Sequence, residues 1–288
     1  MTNHVNFVTL DVFTTKPYEG NPLAVFNLSE TIFIHPKTGT GAIDIFTESV
    51  ELPFAGHPTI GAASWFLHHT PDKDAQVASL RLKAGNFPIT LQDANLGIVA
   101  VRVAHNVHIH RNQYPPDETL RLYPSLKPHL APSSVALFSV VKGMSQLLVE
   151  LPSLEVLGAV TTAYGGQAAD SSYLDAGGDE GLLATYFYVR DVEDGKLERK
   201  VIRTRMILGN LEDPATGSAA SGLTVYLSLN EARTGQFKYD VVQGMEMGRR
   251  SEIGVDVVIG EVGRIESLEL KGSAVKVSDG KIVVPPDV

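Results

Sequence analysis

Two short loops bring together the residue types that are best suited to chemistry in this sequence. The first reads LPFAGHPT at 52–59 and the second reads EDPATGSA at 212–219. Each places a glycine and a small or polar residue where an apolar, alanine-rich stretch predicts the start of a helix. The first N–H groups of a helix lack partners within it and lie at the positive end of its dipole. Gly56 and Gly217 therefore predict a receptor for a small carboxylate, although structural glycines at helix caps would explain either loop alone.

Carboxylates near these loops could supply acid/base chemistry. The candidates are Glu30, Glu48, Glu51, Glu212 and Asp213. A proton shift at carbon needs a base held beside the substrate, with a pKa raised by burial or by a neighbouring charge. Glu30 precedes an apolar strand pattern and is a candidate base, while an exposed glutamate in a turn is the alternative. Asp213 precedes a predicted helix, and capping of that helix would also explain it.

Histidines offer a second kind of chemistry. His57 lies in the first loop between a glycine and a proline, where its ring could relay a proton or contact an anion. His105, His108 and His110 form a cluster, and on a strand the last two would share one face. Because no carboxylate stands at a matching spacing, we interpret this face as solvated and predict no metal site. The sequence also lacks the glycine-rich phosphate loops, the G-x-S-x-G motif and the H-E-x-x-H motif.

The elements that must position these residues repeat along the chain. Pro53 and Pro214 are 161 positions apart, and each is preceded by a strand pattern and followed by a helix pattern. The same spacing pairs Gly56 with Gly217, His57 with Ser218, Gly61 with Gly222 and Phe66 with Leu227. This repetition indicates a duplicated half-domain.

Short strand patterns dominate elsewhere and predict an α+β fold. Each half is expected to be a closed or strongly curved sheet around a central helix. We divide the chain into an N-terminal half, 1–113, joined by a last strand at about 275–288, and a C-terminal half, 114–274. Five prolines at 115–132 suggest a connection between the halves with little regular structure.

The composition excludes several kinds of site. No cysteine occurs among the 288 residues, so disulfides, iron–sulfur clusters, thiolate metal sites and a cysteine acid or base are ruled out. A net charge of −9 does not favour nucleic acid, which needs clustered lysine and arginine. The sequence contains no apolar run of membrane-spanning length and no signal-peptide pattern, so we expect a cytoplasmic protein without a membrane partner.

Four motifs resemble the phenazine-biosynthesis PhzF-like family. They are LDVFTTKPYEGNPLAVF at 10–26, NLSETIFI at 27–34, ELPFAGHPTIGAA at 51–63 and EDPATGSAASGLTVYL at 212–227. The resemblance implies the diaminopimelate-epimerase fold, with two similar halves and an active site in the cleft between them. It also implies a homodimer that needs neither a metal nor an organic cofactor. The implied fold agrees with the repeat found above.

The resemblance implies a role for each candidate residue. Glu30 would be the general acid/base, and His57 and Asp213 would assist it and orient the substrate. The substrate carboxylate would be held by backbone and hydroxyl donors of Gly56, Gly217 and Ser218. The implied reaction is a proton shift on a small cyclic or unsaturated carboxylic acid, and the family's best-known case is isomerisation of trans-2,3-dihydro-3-hydroxyanthranilate. Epimerases of this fold use paired cysteines, which this chain does not have.

One departure from the family pattern bears on Glu30. Family members usually carry about twenty residues, including a crossover helix, between the GNPLAVF strand and NLSE. Here Phe26 is followed directly by Asn27. Two other functions therefore remain alternatives. One is a non-catalytic protein of this fold that binds a small anion, and the other is a racemase, lyase or cyclase acting on a secondary-metabolite intermediate.

Overall fold

The strands and helices of the chain divide into two units. The computed structural model describes residues 4–25, 30–34, 41–47, 51–70, 77–103, 107–129, 135–141, 144–176, 182–231 and 233–283. The first unit is Met1–Arg102 with Lys271–Val288, and the second is Val103–Leu270. Across the described ranges, no helix combines the length and the apolar character needed to cross a bilayer.

The strands and helices follow one another in a mixed order. In the first unit they are β1 (His4–Val12), β2 (Asn21–Val25), β3 (Glu30–Ile34), β4 (Gly41–Thr47), β5 (Glu51–Leu52), α1 (Gly56–Ser64), β6 (Ser79–Leu82), β7 (Gly85–Asp93) and β8 (Ile98–Arg102). In the second unit they are β9 (His108–Ile109), α2 (Pro116–Leu122), β10 (Val135–Val141), β11 (Met144–Glu150), α3 (Leu154–Gly158), β12 (Leu182–Asp194), β13 (Arg199–Leu208), β14 (Leu211–Asp213), α4 (Gly217–Asn230), β15 (Gly235–Gln243), β16 (Ser251–Ile259) and β17 (Ile265–Gly272). The chain then returns to the first unit in β18 (Ala274–Val283).

The first unit is a curved sheet that holds α1 on its inner face. β1 pairs antiparallel with β2 and with β18, β2 runs parallel to β3, and β3 is antiparallel to β4. β4 is antiparallel to β5 and parallel to β6, and β6 is antiparallel to β7. α1 packs against β1, β2, β3 and β8, and all nine of its residues are buried. A helix enclosed on every side needs small or apolar residues all round, as the sequence GHPTIGAAS provides.

The second unit repeats this pairing strand for strand. β10 is antiparallel to β11, β11 is parallel to β12, and β12 is antiparallel to β13. β13 is antiparallel to β14 and parallel to β15, and β15 is antiparallel to β16. α4 occupies the place of α1, packing against β10, β11, β15 and β16. The internal repeat predicted from the spacing of 161 residues is confirmed, since α1 begins at Gly56 and α4 at Gly217.

Matching glycines let each central helix approach the equivalent strand closely. A Cβ at Gly61 in α1 would lie 2.3 Å from Cδ2 of Leu23 on β2. A Cβ at Gly222 in α4 would lie 2.7 Å from Oε1 of Gln146 on β11. Both distances are too short for a real side chain. The repeated glycine pair is therefore explained by helix–strand packing that recurs in both units.

The proline-rich segment is more regular than the sequence suggests. α2 begins at Pro116, where the missing N–H has no partner to lose, and a 3₁₀ turn, Pro124–Leu126, follows it. Tyr114, Leu122 and Tyr123 are buried in the hydrophobic core of the second unit. The interpretation of this stretch as a connection with little regular structure is therefore wrong, because its apolar side chains anchor it in a core.

The two units differ in how their parallel strands are joined. Residues 151–181 connect β11 to β12 and include α3, whose Val156 and Leu157 are buried. Residues 26–29 alone connect β2 to the parallel strand β3, and they lie outside the described residues. The departure noted beside Glu30 thus falls at the crossover position of the repeat.

Candidate active site

The first predicted loop leads into the buried start of α1. Ala55 is extended and precedes the helix, and its carbonyl accepts hydrogen bonds from the backbone N–H and the hydroxyl of Thr59, at 3.2 and 2.6 Å. Gly56 and His57 form the first turn, where no acidic side chain lies. Pro58 follows in the same turn, where its missing N–H costs no helical hydrogen bond. The first turn therefore presents backbone N–H groups of Gly56 and His57 at the positive end of the helix dipole.

His57 is a neutral hydrogen-bonding group. Burial lowers the pKa of His57 from 6.5 to about 3, so its ring carries no charge near pH 7. Its Nδ1 lies 3.3 Å from Nδ2 of Asn21 on β2. An amide nitrogen only donates, so with the Asn21 amide assigned this way Nδ1 accepts and the ring hydrogen lies on Nε2. His57 thus offers a hydrogen-bond donor rather than a positive charge.

Glu30 is the first residue of β3. Its backbone pairs with Thr47 on β4 in the antiparallel β3–β4 register. Its side chain lies outside the described part of the chain, so the role predicted for this carboxylate stays a prediction. Ile32, two residues along the same strand, is fully buried.

The second predicted loop connects β14 to α4 and holds Asp213. The hydroxyl of Thr216 donates to Oδ2 of Asp213 at 2.5 Å. Because Thr216 is the N-cap of α4 and uses its hydroxyl in this way, it makes no cap hydrogen bond to the helix. Gly217 and Ser218 form the buried first turn of α4, which also has no acidic side chain. The structure thus links Asp213, at the end of β14, to the N-cap of the helix that begins with Gly217 and Ser218.

Comparison with known proteins supports the family resemblance found in the sequence motifs, over almost the whole chain. The family model described as PhzC-PhzF, phenazine biosynthesis-like protein, matches residues 10–280. The chain belongs to the PhzC-PhzF family. It is 29% identical to an uncharacterised isomerase of Mesorhizobium japonicum, with 97% of this chain and 99% of that one aligned. It is also 29% identical to the trans-2,3-dihydro-3-hydroxyanthranilate isomerase of Pseudomonas fluorescens, with the same coverage of both chains.

Solved structures confirm the fold of this PhzC-PhzF protein. A phenazine biosynthesis protein of the PhzF family from Bacillus anthracis superposes with a TM-score of 0.73 at 18% identity, covering 98% of this chain and 100% of that one. Epimerase and racemase structures share the same architecture. The predicted diaminopimelate-epimerase-like fold with two similar halves is therefore confirmed, and the protein is an enzyme of the isomerase type.

Two residues of this family member contact the predicted loops without having been singled out from the sequence. Asn21 is buried beside His57, and Gln243, at the end of β15, is fully buried beside the Asp213 loop. Asn21 lies between Gly20 and Pro22 in the motif at 10–26, so the sequence could have indicated it as a candidate. Gln243 follows Val241 and Val242, and only the fold brings it to the loop.

The histidine cluster contains a carboxylate that the spacing did not reveal. His108, His110 and Asp175 place ligand-type atoms within 4.8 Å of one another, and His108 Nε2 lies 2.8 Å from Asp175 Oδ2. Both ring nitrogens of His110 have hydrogen-bond partners. Nδ1 accepts from the backbone N–H of Asp175 at 3.0 Å, and Nε2 is 2.8 Å from Oγ of Ser139. A metal ion on either nitrogen would displace one of these bonds. The interpretation of a solvated face is wrong for His110, because Ser139 and its strand β10 cover it.

Proposed function

We propose that this protein is an isomerase that moves a proton between two carbons of a small cyclic or unsaturated carboxylic acid. The observation that carries the proposal is the repeated strand–loop–helix, with a glycine in the buried first turn of both α1 and α4, inside a chain that aligns end to end with proteins named isomerases. The proposed substrate class follows from the anion affinity of such helix starts and from the name of the Pseudomonas fluorescens relative.

The first-turn groups are proposed to hold the substrate carboxylate. Gly56, Gly217 and Ser218 would donate backbone N–H bonds, and the Ser218 hydroxyl would add another. Neither first turn contains an acidic residue, so the positive ends of α1 and α4 are not neutralised by their own side chains. This explains how a chain with a net charge of −9 can bind an anion.

Glu30 is proposed to be the general acid/base. As a carboxylate it takes the proton from one carbon of the substrate, and as the acid it returns that proton to a second carbon. Electrons and protons balance within the substrate, so the step needs no oxidant, reductant or cofactor. His57 would donate a hydrogen bond from neutral Nε2 to a substrate oxygen, and Asp213 would orient a polar group of the substrate.

Replacement of Glu30 tests the proposal. We expect Glu30→Gln to reduce turnover of trans-2,3-dihydro-3-hydroxyanthranilate, or of a related unsaturated acid that the wild type converts, by about 100-fold or more. Binding of the same acid, measured by calorimetry, should persist because glutamine keeps the size of the side chain. Deuterium uptake into the acid in heavy water should fall in parallel with turnover.

A second carboxylate provides the matched control. Glu51 on β5 accepts a hydrogen bond from Nζ of Lys83 at 2.8 Å at an exposed position. Glu51→Gln should leave turnover within about twofold, since an exposed ion pair contributes little. Near-normal turnover in Glu30→Gln would show that another group moves the proton. Wild-type binding of acids without any proton exchange would instead favour a non-catalytic anion-binding protein.

A further inference from the structure

The side-chain amide of Gln243 hydrogen-bonds to the loop of residues 213–216 through both its nitrogen and its oxygen. Its Nε2 donates to the backbone carbonyl of Asp213 at 2.7 Å and to the hydroxyl of Thr216 at 3.1 Å. Its Oε1 accepts from the backbone N–H of Thr216 at 3.3 Å. Both amide hydrogens and the amide oxygen are therefore directed at the loop that precedes α4.

The loop dictates which way the Gln243 amide points. A backbone carbonyl can only accept and a backbone N–H can only donate, so Nε2 must face Asp213 O and Oε1 must face Thr216 N. Neither glutamate nor methionine can satisfy both positions, because glutamate lacks the two hydrogens and methionine has neither group. The amide is thus specific to this loop, and leaving these buried groups unpaired would be costly.

The same bonds extend to the carboxylate of Asp213. The Thr216 hydroxyl has one hydrogen and gives it to Oδ2 of Asp213, so its oxygen is the acceptor for Gln243. A continuous chain therefore runs from Gln243 Nε2 through Thr216 Oγ1 to Asp213 Oδ2. Consecutive bonds of this kind polarise one another, which strengthens the hold on the carboxylate.

Neighbouring strands hold Gln243 in turn. Thr204 on β13 is its register partner in the parallel β13–β15 pair. The Tyr186 hydroxyl on β12 lies 3.0 Å from both Gln243 Oε1 and Thr204 Oγ1 and donates to one of these oxygens. Gln243, Tyr186 and Thr204 are all fully buried, so water does not compete for these bonds. The strands therefore hold the Gln243 amide in the orientation in which it hydrogen-bonds to the loop.

We propose that Gln243 is the positioning residue of the second half of the site, setting both the Asp213 carboxylate and the first-turn N–H groups of α4. The inference rests on the proposed function only for the part that Asp213 and α4 play in the reaction. Its structural half, that Gln243 orders residues 213–218, can be measured without a substrate.

Variants of matched size separate positioning from general stability. Gln243→Met keeps the volume and removes every amide bond, whereas Gln146→Met changes another buried glutamine, which packs against α4 at Gly222. We expect about tenfold or faster hydrogen–deuterium exchange of the backbone N–H groups of 215–218 in Gln243→Met and not in Gln146→Met. Tyr186→Phe, which removes one donor and keeps the ring, should give a smaller increase.

Turnover and its pH dependence supply the second measurement. A displaced carboxylate should lower kcat of Gln243→Met by about 10- to 100-fold while the variant remains folded by circular dichroism. Gln243→Glu should be as impaired above neutral pH and should partly recover as the pH falls, because the protonated acid again donates to the Asp213 carbonyl. Gln243→Met should show no such recovery.

The outcomes distinguish this inference from the proposed function. Unchanged exchange at 215–218 and an unchanged kcat in Gln243→Met would overturn the positioning role, whatever Glu30→Gln does. If exchange at 215–218 is faster in Gln243→Met but the wild type converts no acid, the positioning role is supported and the proposed reaction is contradicted. Equal effects from Gln146→Met and Gln243→Met would reduce Gln243 to an ordinary buried polar residue and overturn the inference.

Discussion

At the scale of single residues, burial rather than sequence position sets the chemistry of His57. Its ring is enclosed at the start of α1 and hydrogen-bonded to Asn21, and its charged form is excluded by the loss of water around it. A charged histidine would attract a substrate carboxylate, whereas a neutral one can only donate or accept a hydrogen bond. His57 is thus suited to donating a hydrogen bond to an oxygen, which is the role proposed for it.

The buried ring of His57 predicts a stability change with pH. Its pKa is about 3 in the folded state and near 6.5 when unfolded, so between these pH values only the unfolded chain takes up the proton. Stability should therefore fall as the pH is lowered from 7, and His57 should account for about 2 kcal/mol of the loss by pH 5.

Urea unfolding at pH 7 and pH 5 measures this contribution. His57→Asn should lose less stability than the wild type over that interval, by about the same 2 kcal/mol. His129→Asn, a change at an exposed ring, is the control and should lose as much as the wild type. Parallel losses in all three proteins would show that His57 is protonated in the folded state.

At the scale of elements, each unit depends on a helix that packs against a strand through a glycine. Gly61 faces Leu23 on β2, and Gly222 faces Gln146 on β11, the equivalent strand of the repeat. The partner side chains differ in chemistry, yet the glycine is kept in both. In both units the end of a strand side chain fills the space that a Cβ would need, which explains why each position is a glycine.

A methyl group at Gly61 should disturb the first unit. Gly61→Ala should reduce the free energy of unfolding by about 1–3 kcal/mol, since its Cβ would lie 2.3 Å from Leu23 Cδ2. In the double variant Gly61→Ala/Leu23→Ala the losses should be less than additive, because the shorter side chain leaves room for the methyl group. Gly158→Ala, where a Cβ meets nothing within 4 Å, is the control and should be nearly neutral. If the losses of the two single variants add up in the double variant, the destabilisation by Gly61→Ala does not come from contact with Leu23.

At the scale of the whole molecule, the chain is two copies of one topology that have diverged in their connections. The second unit has a 31-residue crossover, 151–181, that contributes buried residues to its core, whereas 26–29 join the equivalent strands of the first unit. Both units keep the sheet pairing and the central helix nonetheless. Pairing and helix burial are therefore the parts of the fold that the repeat shares, and the crossover is the part that varies.

The assembly state that the family resemblance leads us to expect is directly measurable. We expect a homodimer, so light scattering after size exclusion should give about twice the chain mass of 31.0 kDa. The mass should not change between low and moderate salt if apolar contacts hold the dimer, because screening affects mainly charge pairs. A mass of one chain at micromolar concentration would contradict the expectation.

Much of the fold and part of the candidate site follow from the sequence by itself. The loops at 52–59 and 212–219, the spacing of 161 and the absence of cysteine are local or countable features. They predicted the repeat, the two central helices and an acid/base chemistry without thiols. Such features are readable because glycine, proline and apolar periodicity act over a few residues.

Only the tertiary structure decided what surrounds those residues. It buried Tyr114, Leu122 and Tyr123 of the proline-rich segment together with His110. It also removed the charge of His57 and brought Gln243 to Asp213 across 30 residues of chain. Burial, pKa and hydrogen-bond partners depend on which strands become neighbours, and the residues next to Gln243 in the sequence do not specify its neighbours in the fold. The residues of the loops were visible in the sequence, but the hydrogen-bond partners of those loops became visible only in the folded sheet, because pairing of distant strands brings them there.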